Sequence, residues 1–308
     1  MLCLSDHPAP IHSAVQVQCR HVARCAVRGL YAEVALEPKP GLVSLRDNGS
    51  HTDMTAATFV RSLFALRHYF KQMADHGAQA QAPAFTTLEA LGVAAEARMV
   101  RATGGVNTHR GAIFSLGLLC AAAGTLVVQA QVFAAGPLRQ ALLHQWGLAL
   151  RQRAYTARQR PAASNGQKAA RRFHLRSAGD EAADGFPTLF EVTWPAMQTA
   201  LACGQPLRAA KVHALFATMA VLDDTNLAHR GGLHAMHWAK QQAAQFIAEG
   251  SVWQPDWLPR ARALHRAFVA QRMSPGGAAD LIACACWMQE MHALHAATGL
   301  QEDLWPTP

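Results

Sequence analysis

Two stretches of the chain bring an amide, a cation and glycines close together. They are Gly104-Gly105-Val106-Asn107-Thr108-His109-Arg110-Gly111 and Asp223-Asp224-Thr225-Asn226-Leu227-Ala228-His229-Arg230-Gly231-Gly232. Polar groups packed this tightly are poor core material. Glycine lets a ligand approach the backbone, and Arg with backbone N–H groups suits phosphate. Each block stands before an apolar helical stretch, where unpaired N–H groups favour anions. We read them as two lips of one phosphate-rich site; the alternative is two capped helix starts. The second block adds Asp223 and Asp224, adjacent carboxylates that repel one another. Placed at the end of an apolar helix, they sit unfavourably in its dipole. Mg²⁺ bridging them to phosphate oxygens offsets that cost. A general base is the other role open to one of the pair.

A third stretch runs from 38 to 53. Pro38 and Pro40 hold Lys39 in an extended frame, and Gly41 and Gly49 allow close backbone approach. Arg46, His51 and Asp53 place a cation, a hydrogen-bonding ring and a carboxylate in the same loop. Loops this rich in mixed polar groups tend to carry function. Further on, Ser274-Pro275-Gly276-Gly277 feeds a helix whose first turns carry Asp280. The pairs His234/His237 and His292/His295 have helical spacing but no acid in a zinc pattern, so packing or surface roles are expected.

The elements that must position these groups read as helices. Of 308 residues 51% are hydrophobic and only 7% aromatic, a composition that favours packed helices over sandwiches or barrels. Val22, Ala26, Leu30 and Val34 recur at helical spacing, giving a first helix that ends near Glu37. Phe59, Leu63, Leu66 and Phe70 mark a second. Thr86 with Glu89 forms a capping box for a third, which stops at Gly104-Gly105. Gly111 to Gly124 is a buried apolar helix, Leu126 to Val132 a candidate short strand, and Pro137 opens a helix running toward Tyr155. Helices resume over 189–203, 206–222, 232–249, 256–271 and 277–297. Between Arg151 and Arg176 lie eight Lys/Arg and no acid. Residues 156–186 therefore read as a mobile, solvated segment or lid, with Glu181, Asp184 or Glu191 meeting the site when it closes. The expected architecture is all-α: a single multi-helix domain over 1–308 with long functional loops.

A formal charge of +8 attracts polyanions without choosing among nucleic acid, nucleotides or an acidic protein. A basic helical nucleic-acid-binding protein is one alternative, although neither an aromatic-interleaved basic patch nor a recognition helix is legible. A metal-dependent phosphohydrolase and a non-catalytic assembly factor are others. Seven scattered cysteines, without Cys-x-x-Cys, fit buried thiols in a reducing compartment. The first residues lack the pattern of a signal peptide, and neither a membrane span nor membrane attachment is expected. A cytoplasmic location follows as an expectation.

Taken in order, these pieces resemble the triphosphoribosyl-dephospho-CoA synthase family. The likeness runs from Glu33 to about Ala283. It rests on Glu33 with Pro38-Lys39-Pro40-Gly41-Leu42-Val43, on Asn48-Gly49-Ser50-His51-Thr52-Asp53-Met54, on both His-Arg-Gly blocks, on Gly185-Phe186-Pro187 and on Ser274 to Asp280. Within 156–184 only Glu181-Ala182 keeps the family pattern. The resemblance implies transfer of the triphosphoribosyl unit of ATP to the 2′-hydroxyl of 3′-dephospho-CoA, with release of adenine. A β-nucleoside giving an α-linked product implies inversion at the anomeric carbon, and hence direct displacement. ATP and 3′-dephospho-CoA are then the substrates and Mg²⁺ accompanies ATP. The acyl-carrier subunit or its prosthetic-group transferase is a further expected partner, and an oligomer is compatible. Ser44-Leu45-Arg46 and Gly49-Ser50-His51 lean toward the branch serving malonate decarboxylase rather than citrate lyase.

On this reading Lys39, Arg110 and Arg230 grip phosphate together with Gly104, Gly105, Gly231 and Gly232. Asn107, Asn226, His229 and Asp280 bind substrate, and Asp223 and Asp224 hold Mg²⁺. Glu33 or Asp53 is the base, with His51 or His109 orienting it or donating to the departing adenine.

Overall fold

The apolar, alanine-rich segments fold as helices joined by short turns, apart from the long 36–55 loop. In order they are α1 (Pro10–Ala35), α2 (Ala56–Gly77), α3 (Phe85–Ala102), α4 (Arg110–Val128), α5 (Ala135–Gln159), α6 (Asn165–Phe173), α7 (Ala178–Ala183), α8 (Trp194–Ala202), α9 (Leu207–Val221), α10 (Thr225–Ala248), α11 (Trp257–Ala270) and α12 (Gly276–Thr298). This computed structural model describes residues 10–162 and 164–298. The N-terminal residues read for a signal peptide, Cys3 and the side chain of His295 lie outside the described residues. No strand occurs among the described residues, so the fold is all-α.

α4 is the centre of the molecule. It packs against α1, α2, α3, α5 and α12, and 15 of its residues from Ala112 to Val127 are buried. By length and composition it could cross a membrane, but 83% of that stretch is buried inside the protein. A helix apolar all round needs such an enclosure. Its closest neighbour is α2: a Cβ on Gly124 would overlap the Ala74 carbonyl, and one on Gly77 would overlap that of Ala121. The two backbones thus touch, and Thr125 Oγ1 donates to the Gly77 carbonyl at 3.1 Å. On the other side α9 joins α8, α10 and α12, while α6 lies on α10.

Two expectations are corrected. The Thr86/Glu89 capping box does not form, because α3 starts at Phe85 without a side-chain cap and Glu89 reaches Arg153 at 2.8 Å. The strand at 126–132 is absent: α4 runs on through Val128, which pairs backbone groups that a lone strand would leave open. Residues 156–186, read from the sequence as a mobile segment or lid, comprise the end of α5 followed by α6 and α7. Ser164 caps α6, and Ser177 with Asp180 forms a capping box for α7. The basic run finds its counter-charges locally, with Arg158 on Asp180 at 2.6 Å and Arg176 on Glu181 and Asp184.

Candidate active site

The 36–55 loop is folded back and tied down. The Ser50 N–H donates to the Gly41 carbonyl, Ser50 Oγ to that of Met273, and His265 Nδ1 to that of Lys39. These bonds drive Lys39 inward, where it is 2% exposed and its Nζ donates to Glu33 twice, at Oε1 and at the carbonyl, both at 2.6 Å. Lys39 therefore stands behind Glu33 rather than facing a ligand. Glu33 lines a cleft of about 1430 Å³, above the roughly 300–1,000 Å³ of a site for one small molecule.

Three helix starts meet at the floor of this cleft. Asp224 is the N-cap of α10: Oδ1 accepts the N–H groups of Asn226 and Leu227 at 2.9 and 3.3 Å. Its Oδ2 accepts the Ala278 N–H of α12 at 3.0 Å, so one carboxylate caps two helices. Burial pushes this carboxyl up, and the backbone N–H groups pull it the other way. Asp280, one turn into α12, lies against the start of α4: it accepts the Ala112 N–H, and a Cβ on Gly111 would overlap its carboxylate. Burial, and then the neighbouring Glu33 and Asp224, raise the Asp280 carboxyl well above the usual carboxylate range.

His51 and His109 favour the neutral form here. Arg230 donates to His51 Nδ1 at 3.0 Å, and guanidinium has no acceptor, so the proton of neutral His51 sits on Nε2 and is donated to Ser274 Oγ at 2.8 Å. Burial and then Arg230 lower the pKa of this ring, against the pull of Asp53. His109 Nδ1 meets Ser62 Oγ at 2.6 Å, while its buried Nε2 has no partner among the described residues. Burial, and then Lys39, lower this imidazole to about 3.

The cleft brings together Glu33, His51, Asp53, Asn107, His109, Arg110, Asn226, His229, Arg230 and Asp280. It leaves out Lys39, Gly104, Gly105, Asp223, Asp224, Gly231 and Gly232. Gly104 and Gly105, at φ of 69° and 95°, close α3, with the Gly105 N–H on the Val100 carbonyl at 2.8 Å. Gly231 and Gly232 kink α10, taking the chain out of the helix after Arg230. Glu181, Asp184 and Glu191 pair with Arg176 or Arg139 outside the cleft. Sequence reasoning missed α6: Ser164 to Lys168 and Arg171 line the cleft, together with apolar residues such as Phe85, Leu88 and Phe114. The basic run and the Ser164 cap were the available signals.

The family model for ATP:dephospho-CoA triphosphoribosyl transferase (CitG) matches residues 19–299. The chain belongs to this family. It is similar to a probable 2-(5′′-triphosphoribosyl)-3′-dephosphocoenzyme-A synthase of Acinetobacter calcoaceticus, 36% identical over 84% of this chain and 87% of the relative. The corresponding synthase of Escherichia fergusonii is 34% identical over 91% and 93%, and that of Klebsiella pneumoniae 33% identical over 93% and 96%. No solved structure matches the chain. Like the relatives it matches nearly end to end, the chain is an enzyme.

Mg²⁺, expected for a family that uses ATP, does not fit the Asp223–Asp224 pair. Asp223 Oδ1 is engaged by Lys240 at 2.6 Å, and both oxygens of Asp224 are engaged by backbone N–H groups. The physical reason is that α9 ends at Val221 and Asp224 begins the next helix, where a carboxylate is favourable. Among the described residues no group of three His, Cys, Asp or Glu side chains could hold a metal ion.

Proposed function

We propose that this protein transfers the triphosphoribosyl unit of ATP to the 2′-hydroxyl of 3′-dephospho-CoA and releases adenine. One observation carries the reading: a single cleft is lined by both cations and carboxylates, in a chain of this family. Its size suits two nucleotides held at once. Arg230 and Arg110 approach from the two His-Arg-Gly blocks, and Lys168 and Arg171 from α6. They supply cations for a triphosphate, and the α6 start adds N–H groups. Glu33, on the floor, is placed to accept the proton of the incoming hydroxyl, and Ser274, held by His51, has its own O–H left to donate. Any Mg²⁺ arrives on ATP rather than in an Asp223–Asp224 cage.

Incubation with ATP, 3′-dephospho-CoA and Mg²⁺, followed by mass analysis, is expected to show adenine and the joined product in equal amounts. Inorganic phosphate without free adenine would sink the reading in favour of a phosphohydrolase. Within the pathway we assign the product to malonate decarboxylase, on Ser44-Leu45-Arg46 and Gly49-Ser50-His51. The acyl-carrier subunit and its prosthetic-group transferase are the partners downstream. Supplied with the product, that transferase is expected to load the malonate decarboxylase carrier; loading of the citrate lyase carrier alone reverses the assignment.

A further inference from the structure

Departure of adenine from an anomeric carbon calls for a proton donor, and the acids of the cleft differ in whether a cation holds them. Glu33 has Lys39 at 2.6 Å, Glu89 has Arg153 at 2.8 Å, Asp180 has Arg158 at 2.6 Å, and Glu96 is paired with Arg110. Asp53 is 60% exposed beside His51. Asp280 alone among them has no Lys, Arg or His partner among the described residues, and it shares the floor with Glu33 and lies near Asp224. Carboxylates crowded in this way do not all ionise: Glu33 has its cation, Asp224 accepts several backbone N–H groups, and Asp280, with only the Ala112 N–H, keeps the proton. Two acids whose surroundings differ in this sense divide the roles of acid and base. His51 and His109, the two rings read as donors from the sequence, are poorer ones: His109 is buried and neutral, and the one ring proton of neutral His51 is already donated to Ser274.

Resting on the proposed transferase reading, we propose that Asp280 is the general acid that protonates the departing adenine. As the acceptor oxygen bonds to the anomeric carbon, the bond from that carbon to adenine breaks. The hydroxyl proton passes to Glu33 and the Asp280 proton passes to a ring nitrogen of the base. Exchange with solvent then returns Glu33 and Asp280 to their starting states. The groups facing Asp280 are Glu33 on α1 with Lys39 behind it, the Gly111–Ala112 backbone of α4, Asp224 before α10, and Cys284 on its own helix. The Glu33 and Asp224 carboxylates favour the protonated acid.

The test compares ATP with its N7-methylated analogue, whose base is already cationic and leaves without a proton. Asp280→Asn is expected to lose about 10²- to 10⁴-fold in kcat on ATP, with little change in KM. On the methylated analogue it should come within a few-fold of wild type. The alkaline limb of the wild-type kcat/KM profile should be missing in the variant. Equal deficiency on both substrates overturns the inference, as does near-wild-type activity on ATP. If Asp280→Asn does not fold, Asp280→Glu replaces it, and an alkaline limb that does not move is the contrary result. Wild-type protein that releases no adenine defeats the transferase reading itself, so the two failures are distinguishable.

Discussion

Lys39 illustrates how little a residue's type says about its direction. Framed by Pro38 and Pro40, it reads as a cation offered to phosphate, yet it is 1% exposed along its side chain and its ammonium faces Glu33. The partner lies six residues back, at the end of α1, and only the folded loop brings the two together. Lys39→Met leaves Glu33 buried without its counter-charge. Such a break costs about 3–5 kcal/mol, so urea unfolding should show a loss of that order; a variant as stable as wild type contradicts the pairing. The residues of the cleft were legible by type, since His51, His109, Arg110, Arg230 and Asp280 all line it. Which of them hold protons was not, because that depends on neighbours supplied by other helices.

At the scale of elements, Asp224 matters for where it stands rather than for its charge. Read from sequence it closed an apolar helix, whereas it opens α10 and reaches the start of α12. Asp224→Ala therefore removes two caps, at about 1–2 kcal/mol each. Asp223→Ala removes only a partly buried ion pair with Lys240, a change of about 1 kcal/mol or less. Melting temperatures of the two variants should separate accordingly; equal effects would argue against the double cap. Long helices such as α1, α2 and α9 were readable because their periodicity persists for several turns, and α4 because its apolar run is nearly unbroken. α6 and α7, of nine and six residues, are too short for that signal, and only the serines at their starts mark them.

For the molecule as a whole, composition correctly announced a helical fold, but not the order in which helices touch. The α2–α4 crossing depends on Gly77 and Gly124, and nothing in the sequence marks either as a contact between helices. Gly124→Val drives a side chain into the Ala74 carbonyl, and the cost should exceed the ~1–3 kcal/mol of ordinary overpacking. Circular dichroism and urea melts of the purified variant measure it. A well-folded protein of unchanged stability contradicts the contact. The net charge of +8 pointed to a polyanion, and the fold gathers part of that charge around one cleft. Charge sums carry no direction, so that concentration could not be read beforehand.

The shared carboxylate of Asp224 has a consequence for how the sequence can change over time. It fixes Asn226, His229 and Arg230 on one side and the Ser274–Asp280 turn on the other to a single point. Segments some fifty residues apart therefore behave as one heritable unit: neither can drift in position without the other. Substitutions in the two are expected to depend on each other's background, as they do for groups joined through a common partner. A chimera that takes only one of them from a relative sets two unmatched halves against the same anchor, whereas exchanging both together preserves it.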